Sequence, residues 1–224
     1  MNPSNKRLLF WLGVIAVITV SVLVVISGTK TNPQDQANKT TTLSEPISEI
    51  DNTKGNKDAK IQIVEYSDFQ CPACASYFPI LRDVMKEFGN YVYFSYRNFP
   101  IRSKHLNADI SAYAAEAAAR QGKFWEMHDL LFENQTFWSG ESGEAAQVLF
   151  TQYANQLGLD TQKFMADMAD KNIQRKVDDD LESGLNSGVQ GTPSVFVDGK
   201  KLEFNLSLDE FRVLIRQKLE NQTK

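Results

Sequence analysis

The stretch from Ile61 to Cys74, IQIVEYSDFQCPAC, changes character partway along. It opens as a strand over Ile61–Ser67, rich in β-branched and aromatic side chains. A short polar turn follows and a helix then begins. Pro72 suits the first helical position, where a missing N–H is no loss, and the helical pattern runs to Phe88, with Pro79 expected to kink it. Cys71 is then the N-cap and Cys74 the third helical residue. An N-cap side chain accepts hydrogen bonds from the unpaired amides of the first turn. Those amides and the helix dipole favour a thiolate over a thiol. Cys71 is therefore expected to titrate below the free-thiol value of about 8.5 and to be the attacking sulfur. Cys74, one turn on and on the same side, can close a disulfide with it or resolve a mixed disulfide.

These are the only 2 cysteines in 224 residues, so no disulfide framework holds the fold. A Cys-x-x-Cys pair can also be half of a zinc site. Here there is no second cysteine pair, and His105 and His128, the only histidines, are not spaced as one. Redox chemistry is the stronger reading. Glu65 lies on the strand among Ile63, Val64 and Tyr66. An acid there is expected to be buried, with a raised pKa, and able to exchange a proton with Cys74 during catalysis. The alternative is a salt-bridged or edge-exposed glutamate. Thr192-Pro193 precedes a late strand. A cis proline there would face the active site, and the neighbouring backbone could pair with an extended substrate; the alternative is an ordinary proline at the start of a strand.

Further from the cysteines, Tyr91–Arg97 is a second strand, and Leu106 to Asn186 is almost wholly helical in pattern. Ser194–Val197 is a strand, Asp198-Gly199 a hairpin turn, Lys201–Phe204 the partner strand, and Leu208 to Leu219 a final helix. The order strand-helix-strand requires a right-handed parallel unit, and the hairpin must be antiparallel. The fold class is α/β: a small mixed sheet with helices on both faces and a helical cap. Phe124 and Trp125 are expected to be packing residues, His105 a local polar contact, and His128 a packed or surface histidine. Asp178, Asp179 and Asp180 read as a solvated face of a helix whose apolar row is Ile173, Val177, Leu181 and Leu185.

Three segments carry a family resemblance: VEYSDFQCPAC (64–74), GKFWEMH (122–128) and GTPSVFV (191–197). Together they resemble the DsbA-like branch of the thioredoxin superfamily, which includes membrane-anchored thiol:disulfide oxidoreductases of bacteria. The resemblance covers roughly residues 46 to 220. It implies a thioredoxin fold over 59–222 with an inserted helical domain at about 102–188. It also implies Cys71 as nucleophile, Cys74 as resolving thiol, and Pro193 as a cis-proline preceded by Thr192. No cofactor is implied beyond the Cys71–Cys74 disulfide, and no metal. The sequence departs from the family's best-known oxidases, which carry histidine between the cysteines. Here the pair is Pro72-Ala73, and the acids Glu65 and Asp68 lie nearby, which would make the disulfide less oxidising. An oxidase of exported proteins is the first reading. A reductase or isomerase of the same fold, or a non-catalytic module binding clients or metal, is the alternative.

The N-terminus sets the expected compartment. Leu8–Ile26 is 19 residues without a charge, about 28 Å as a helix, and Lys6 and Arg7 precede it. It reads as an uncleaved transmembrane signal anchor (8–26), with a cytoplasmic tail (1–7) and the catalytic domain on the outer face of the membrane. Residues 27–58 read as a flexible polar tether. All 28 acidic residues lie beyond Thr31 against 21 of the 24 basic ones, so the exported part is acidic and nucleic acid is excluded as a partner. The expected partners are unfolded exported proteins and an integral-membrane quinone-linked protein that reoxidises the cysteines. The tether is too short and too polar to be a dimerisation module, so a monomer is expected.

Overall fold

A computed structural model describes residues 42–203 and 205–222. The expected tail, membrane span and first part of the tether lie outside the described residues. Among the described residues no helix is long and apolar enough to cross a membrane.

The elements run β1 (Asn52–Gly55), β2 (Ile61–Ser67), α1 (Pro72–Phe88), β3 (Val92–Asn98), α2 (Ala108–Ala119), α3 (Phe124–Glu133), α4 (Gln135–Trp138), α5 (Gly143–Gln156), α6 (Thr161–Met168), α7 (Lys171–Asn186), β4 (Ser194–Val197), β5 (Lys200–Lys201) and α8 (Leu208–Gln222). The sheet order is β1-β3-β2-β4-β5. β2 and β3 are parallel across α1, while β4 runs antiparallel to β2 and pairs with β5 through a hairpin. Asp198 and Gly199 both take positive φ, 49° and 76°, as a two-residue hairpin turn with the native strand twist requires. The mixed α/β sheet and the helical insert are as the sequence implies.

Alternation along β2 divides the core. Ile61 and Ile63 face one way and join Leu81, Val84 and Phe88 of α1 in the larger cluster. Val64 and Tyr66 face the other way and join Phe99, Val189 and Phe196. The same period places Glu65 and Ser67 on the α1 side, under Cys74. Gly184 of α7 packs so closely on the second cluster that a Cβ there would lie 2.6 Å from the Phe99 ring and 2.9 Å from Tyr66.

Three expectations need correction. The tether does not extend to residue 58: the chain is bound to the fold from residue 42 onward. Thr42 bridges Lys200, Leu43 N–H donates to the Gly199 carbonyl, and Leu43 and Ile47 pack on the second cluster. Asn52–Gly55 then forms an edge strand on β3. The physical reason is Arg97 of β3, whose buried guanidinium pairs with Asp51 at 2.7 Å and donates to the carbonyls of Glu45 and Pro46. A polar segment is thus ordered by one cation that satisfies its backbone. The partner strand expected over Lys201–Phe204 pairs only at Lys200–Lys201, because the chain turns toward α8 after Leu202 N–H bonds the Val195 carbonyl; Phe204 is outside the described residues. The apolar row of α7 is also displaced. Ile173, Val177, Asp180, Ser183 and Gly184 are its buried positions, Leu181 packs on the second cluster and Leu185 is exposed, so Asp180 faces inward, held by Lys176 at 2.6 Å and by Asn98, while Asp178 and Asp179 face solvent.

Candidate active site

Cys71 is the N-cap of α1, with extended backbone (φ −73°, ψ 121°) and Pro72 behind it. Its amide donates to the Asp68 carbonyl at 3.0 Å, and its carbonyl accepts the first helical bond, from Ala75 N–H at 3.1 Å. Both cysteines are free thiols, so this is the reduced form. Cys71 retains slight exposure, and Cys74, one turn on, has none. The attacking and the shielded sulfur are therefore distinguished by access alone.

Their acidities diverge as well. The Cys71 thiol is lowered to about 5. The chief cause is a hydrogen bond from the Cys74 thiol to the Cys71 sulfur; partial burial opposes it, and the Thr192 side chain and the amides of Cys74 and Ala73 add to the lowering. The N-cap expectation is right in direction but places the weight wrongly. No full cap hydrogen bond is made by the Cys71 side chain, and the neighbouring sulfur contributes more than the helix amides. Burial pushes Cys74 well above the ordinary thiol range, and the hydrogen bond with Cys71, the Cys71 charge and Glu65 push it the same way.

Glu65 sits beneath this pair, 3% exposed. Burial raises its carboxyl to about 7, against a smaller pull downward from the Ser67 hydroxyl and the Lys54 charge. Lys54, on edge strand β1, lies over the Trp125 ring at 4.1 Å from its centroid. Tyr96 pairs with Glu65 in register, and its hydroxyl, like those of Ser67 and Tyr77, is buried. On the other side of the nucleophile, the Thr192-Pro193 peptide is cis, and the Thr192 carbonyl lies 3.6 Å from Cys71 Sγ. The five site residues expected from the sequence thus fall in one place, with Glu65 on the Cys74 side and Thr192-Pro193 on the Cys71 side.

The acids feared to oppose the Cys71 thiolate act elsewhere. Asp68 spends its carboxylate on the N–H groups of Gln70 and Ile101, both at 2.8 Å, and on His105 Nδ1 at 2.7 Å. His105 is thus the local polar contact expected of it. His128 is packed, ringed by Phe69, Phe78, Tyr96, Phe124, Trp125 and Phe132, and burial lowers it to about 4. Phe124 is core, while Trp125 also caps β1 by donating to the Thr53 carbonyl at 2.9 Å. The sequence reading missed Gln135 of α4. Its buried carboxamide donates to the carbonyls of Phe69 at 2.7 Å and Cys71 at 3.0 Å. It missed, too, the exposed Leu106 and Phe137, which lie beside the residues that Gln70 bridges, Asn107 and Ser139. Among the described residues no group of three or more His, Cys, Asp or Glu side chains could share a metal ion.

A helix that presents two thiols of opposed acidity, across from a cis-proline at the end of a mixed sheet, defines a thioredoxin-fold dithiol site. Residues 48–217 match the thioredoxin family, and the chain belongs to that family. With its helical insert between β3 and β4, the fold is also that of solved BdbD and DsbA proteins. The structure of oxidised BdbD from Bacillus subtilis superposes with a TM-score of 0.69 at 23% identity, covering 80% of this chain and 98% of that one. Alpha-DsbA1 from Wolbachia pipientis superposes with a TM-score of 0.66 at 20% identity, covering 78% and 93%. A different kind of relative is the Na(+)/H(+) antiporter NhaA 1 of Salinispora arenicola, 37% identical over 151 residues. That match takes in 67% of this chain, and the chain spans only 22% of the antiporter's length.

Proposed function

We propose that this protein is an extracytoplasmic thiol:disulfide oxidoreductase that introduces disulfides into exported proteins through Cys71 and Cys74. The observation that carries the reading is the split between the two thiols, Cys71 at about 5 and Cys74 far above its ordinary range. A sulfur stable as an anion is a good leaving group, and stabilising the reduced form makes the disulfide a stronger oxidant. Solved structures of the same fold named as thiol-disulfide exchange protein and thioredoxin-like oxidoreductase support the class.

In the oxidised protein, a client thiolate attacks Cys71 Sγ, the Cys71–Cys74 bond breaks, and the electron pair leaves on Cys74. Cys74 then takes up a proton, for which Glu65, near neutrality, is the adjacent donor. A second client thiolate attacks the client sulfur of the mixed disulfide, and Cys71 leaves as a thiolate. The client has lost two electrons and gained a disulfide; the protein holds them as two reduced sulfurs. Thr192 and Pro193 offer backbone to an extended client beside Cys71. Electrons then pass to an integral-membrane quinone-linked partner, the protein being a monomer held at the membrane by residues 8–26. The cysteines are the redox centre and no other cofactor takes part.

Equilibration with glutathione tests the direction of flow. A potential well above the about −270 mV of thioredoxin is expected, and a value at or below it contradicts the oxidase reading. Oxidative refolding of a reduced client separates catalysis from mere binding: Cys71→Ser is expected to abolish it.

A further inference from the structure

The turn that carries the nucleophile, Asp68 to Cys71, is held largely by the helical insert and the loop leading into it. Asp68 is bonded from Ile101 and His105. Gln70 accepts from Asn107 N–H at 2.6 Å and donates to the Ser139 carbonyl at 2.7 Å. Only Gln135 reaches the backbone of Cys71 itself among these contacts. Its two amide hydrogens are shared between the carbonyls on either side of Gln70, those of Phe69 and Cys71. Gln135 is 7% exposed, so water does not readily replace it. The Cys71 carbonyl direction is set by ψ, here 121°. That torsion decides where the first-turn amides stand relative to Sγ.

We propose that Gln135 is a positioning residue for the nucleophile: from helix α4 it clamps the carbonyls of Phe69 and Cys71, keeping Cys71 Sγ over the amides of Ala73 and Cys74 and beside the Cys74 thiol. The insert is then part of the redox machinery and not only a lid over it. This rests on the reading of Cys71 as the stabilised nucleophile. With Gln135 gone, Sγ is less well held over the amides and the Cys74 thiol, and the thiolate titration is expected to rise by up to about one pH unit. One such unit is a tenfold change in the glutathione equilibrium constant, about 30 mV.

The test is the ultraviolet titration of the Cys71 thiolate, together with the glutathione equilibrium constant, in the full chain and in Gln135→Leu and Gln135→Met. Leucine removes the donor. Methionine also removes it while keeping the length of the side chain and adding no charge beside Cys71, and it decides the matter if the leucine variant does not fold. The expected result is a folded variant whose thiolate titrates higher, with the equilibrium constant falling several-fold in step. A folded variant that titrates and equilibrates like the parent overturns the positioning role. If the parent itself titrates as an ordinary thiol, the reading of Cys71 fails first, and the two failures are told apart by the parent curve alone.

Discussion

Replacing Glu65 with glutamine should stabilise the reduced protein at alkaline pH and have little effect in acid. The carboxyl is raised from 4.5 to about 7, chiefly by burial. Below about pH 4.5 both the folded and unfolded chains hold the proton. As pH rises from there, the unfolded chain releases it while the folded one retains it, so native stability falls until the folded group also ionises near 7. The difference corresponds to on the order of 3 kcal/mol, fully expressed above that pH. Glutamine carries no such penalty. Urea denaturation of both reduced proteins at about pH 4 and about pH 8.5 isolates the effect, because Glu116, also raised to about 7, is common to both. The advantage of Glu65→Gln should grow by about 3 kcal/mol between the two conditions, roughly 6–12 °C in melting temperature for a domain of this size. An unchanged gap between the two proteins would refute the claim that Glu65 is buried and held neutral.

Cys74→Ala should raise the Cys71 titration toward the ordinary thiol range, since the Cys74 thiol is the leading cause of its lowering, and should accumulate mixed disulfides through Cys71; thiolate absorbance and non-reducing electrophoresis read the two effects. Arg97→Met leaves the Asp51 carboxylate buried without its partner and should cost about 3–5 kcal/mol in denaturant unfolding, with residues 42–51 becoming sensitive to protease. Gly184→Ala forces a methyl into the Phe99 and Tyr66 rings and should cost about 1–3 kcal/mol in the same assay.

The parts of the fold legible in the sequence are those with a strong local signal. β2 follows from its β-branched run, α1 from Pro72 at its start, and the β4–β5 turn from Asp198-Gly199, where both residues must take positive φ. β1 has no such signal. Its four residues, NTKG, show no alternation, and they are held by groups far along the chain: Arg97 binds the backbone before them and Trp125 donates to the Thr53 carbonyl. Asp180 was illegible for a related reason: its aspartate neighbours suggest a wet face, yet it stands three residues after Val177 on the buried stripe, where Lys176 and Asn98 satisfy it. At the site, chain spacing identifies Cys71, Cys74, Glu65 and Thr192-Pro193 as candidates. It does not convey that a sulfur hydrogen bond outweighs the helix amides, nor that Gln135 reaches back to Cys71, because no motif marks a glutamine at the start of a four-residue helix.

One of the two thiols, Cys71, is expected to be an anion at neutral pH, and Cys74 is not. Rates of alkylation of each cysteine in the reduced protein, followed across pH by peptide mass analysis, test it directly. Cys71 should react with a midpoint near 5 and Cys74 should stay silent through neutrality. Two similar midpoints near the free-thiol value of about 8.5, or Cys74 reacting first, would contradict the account.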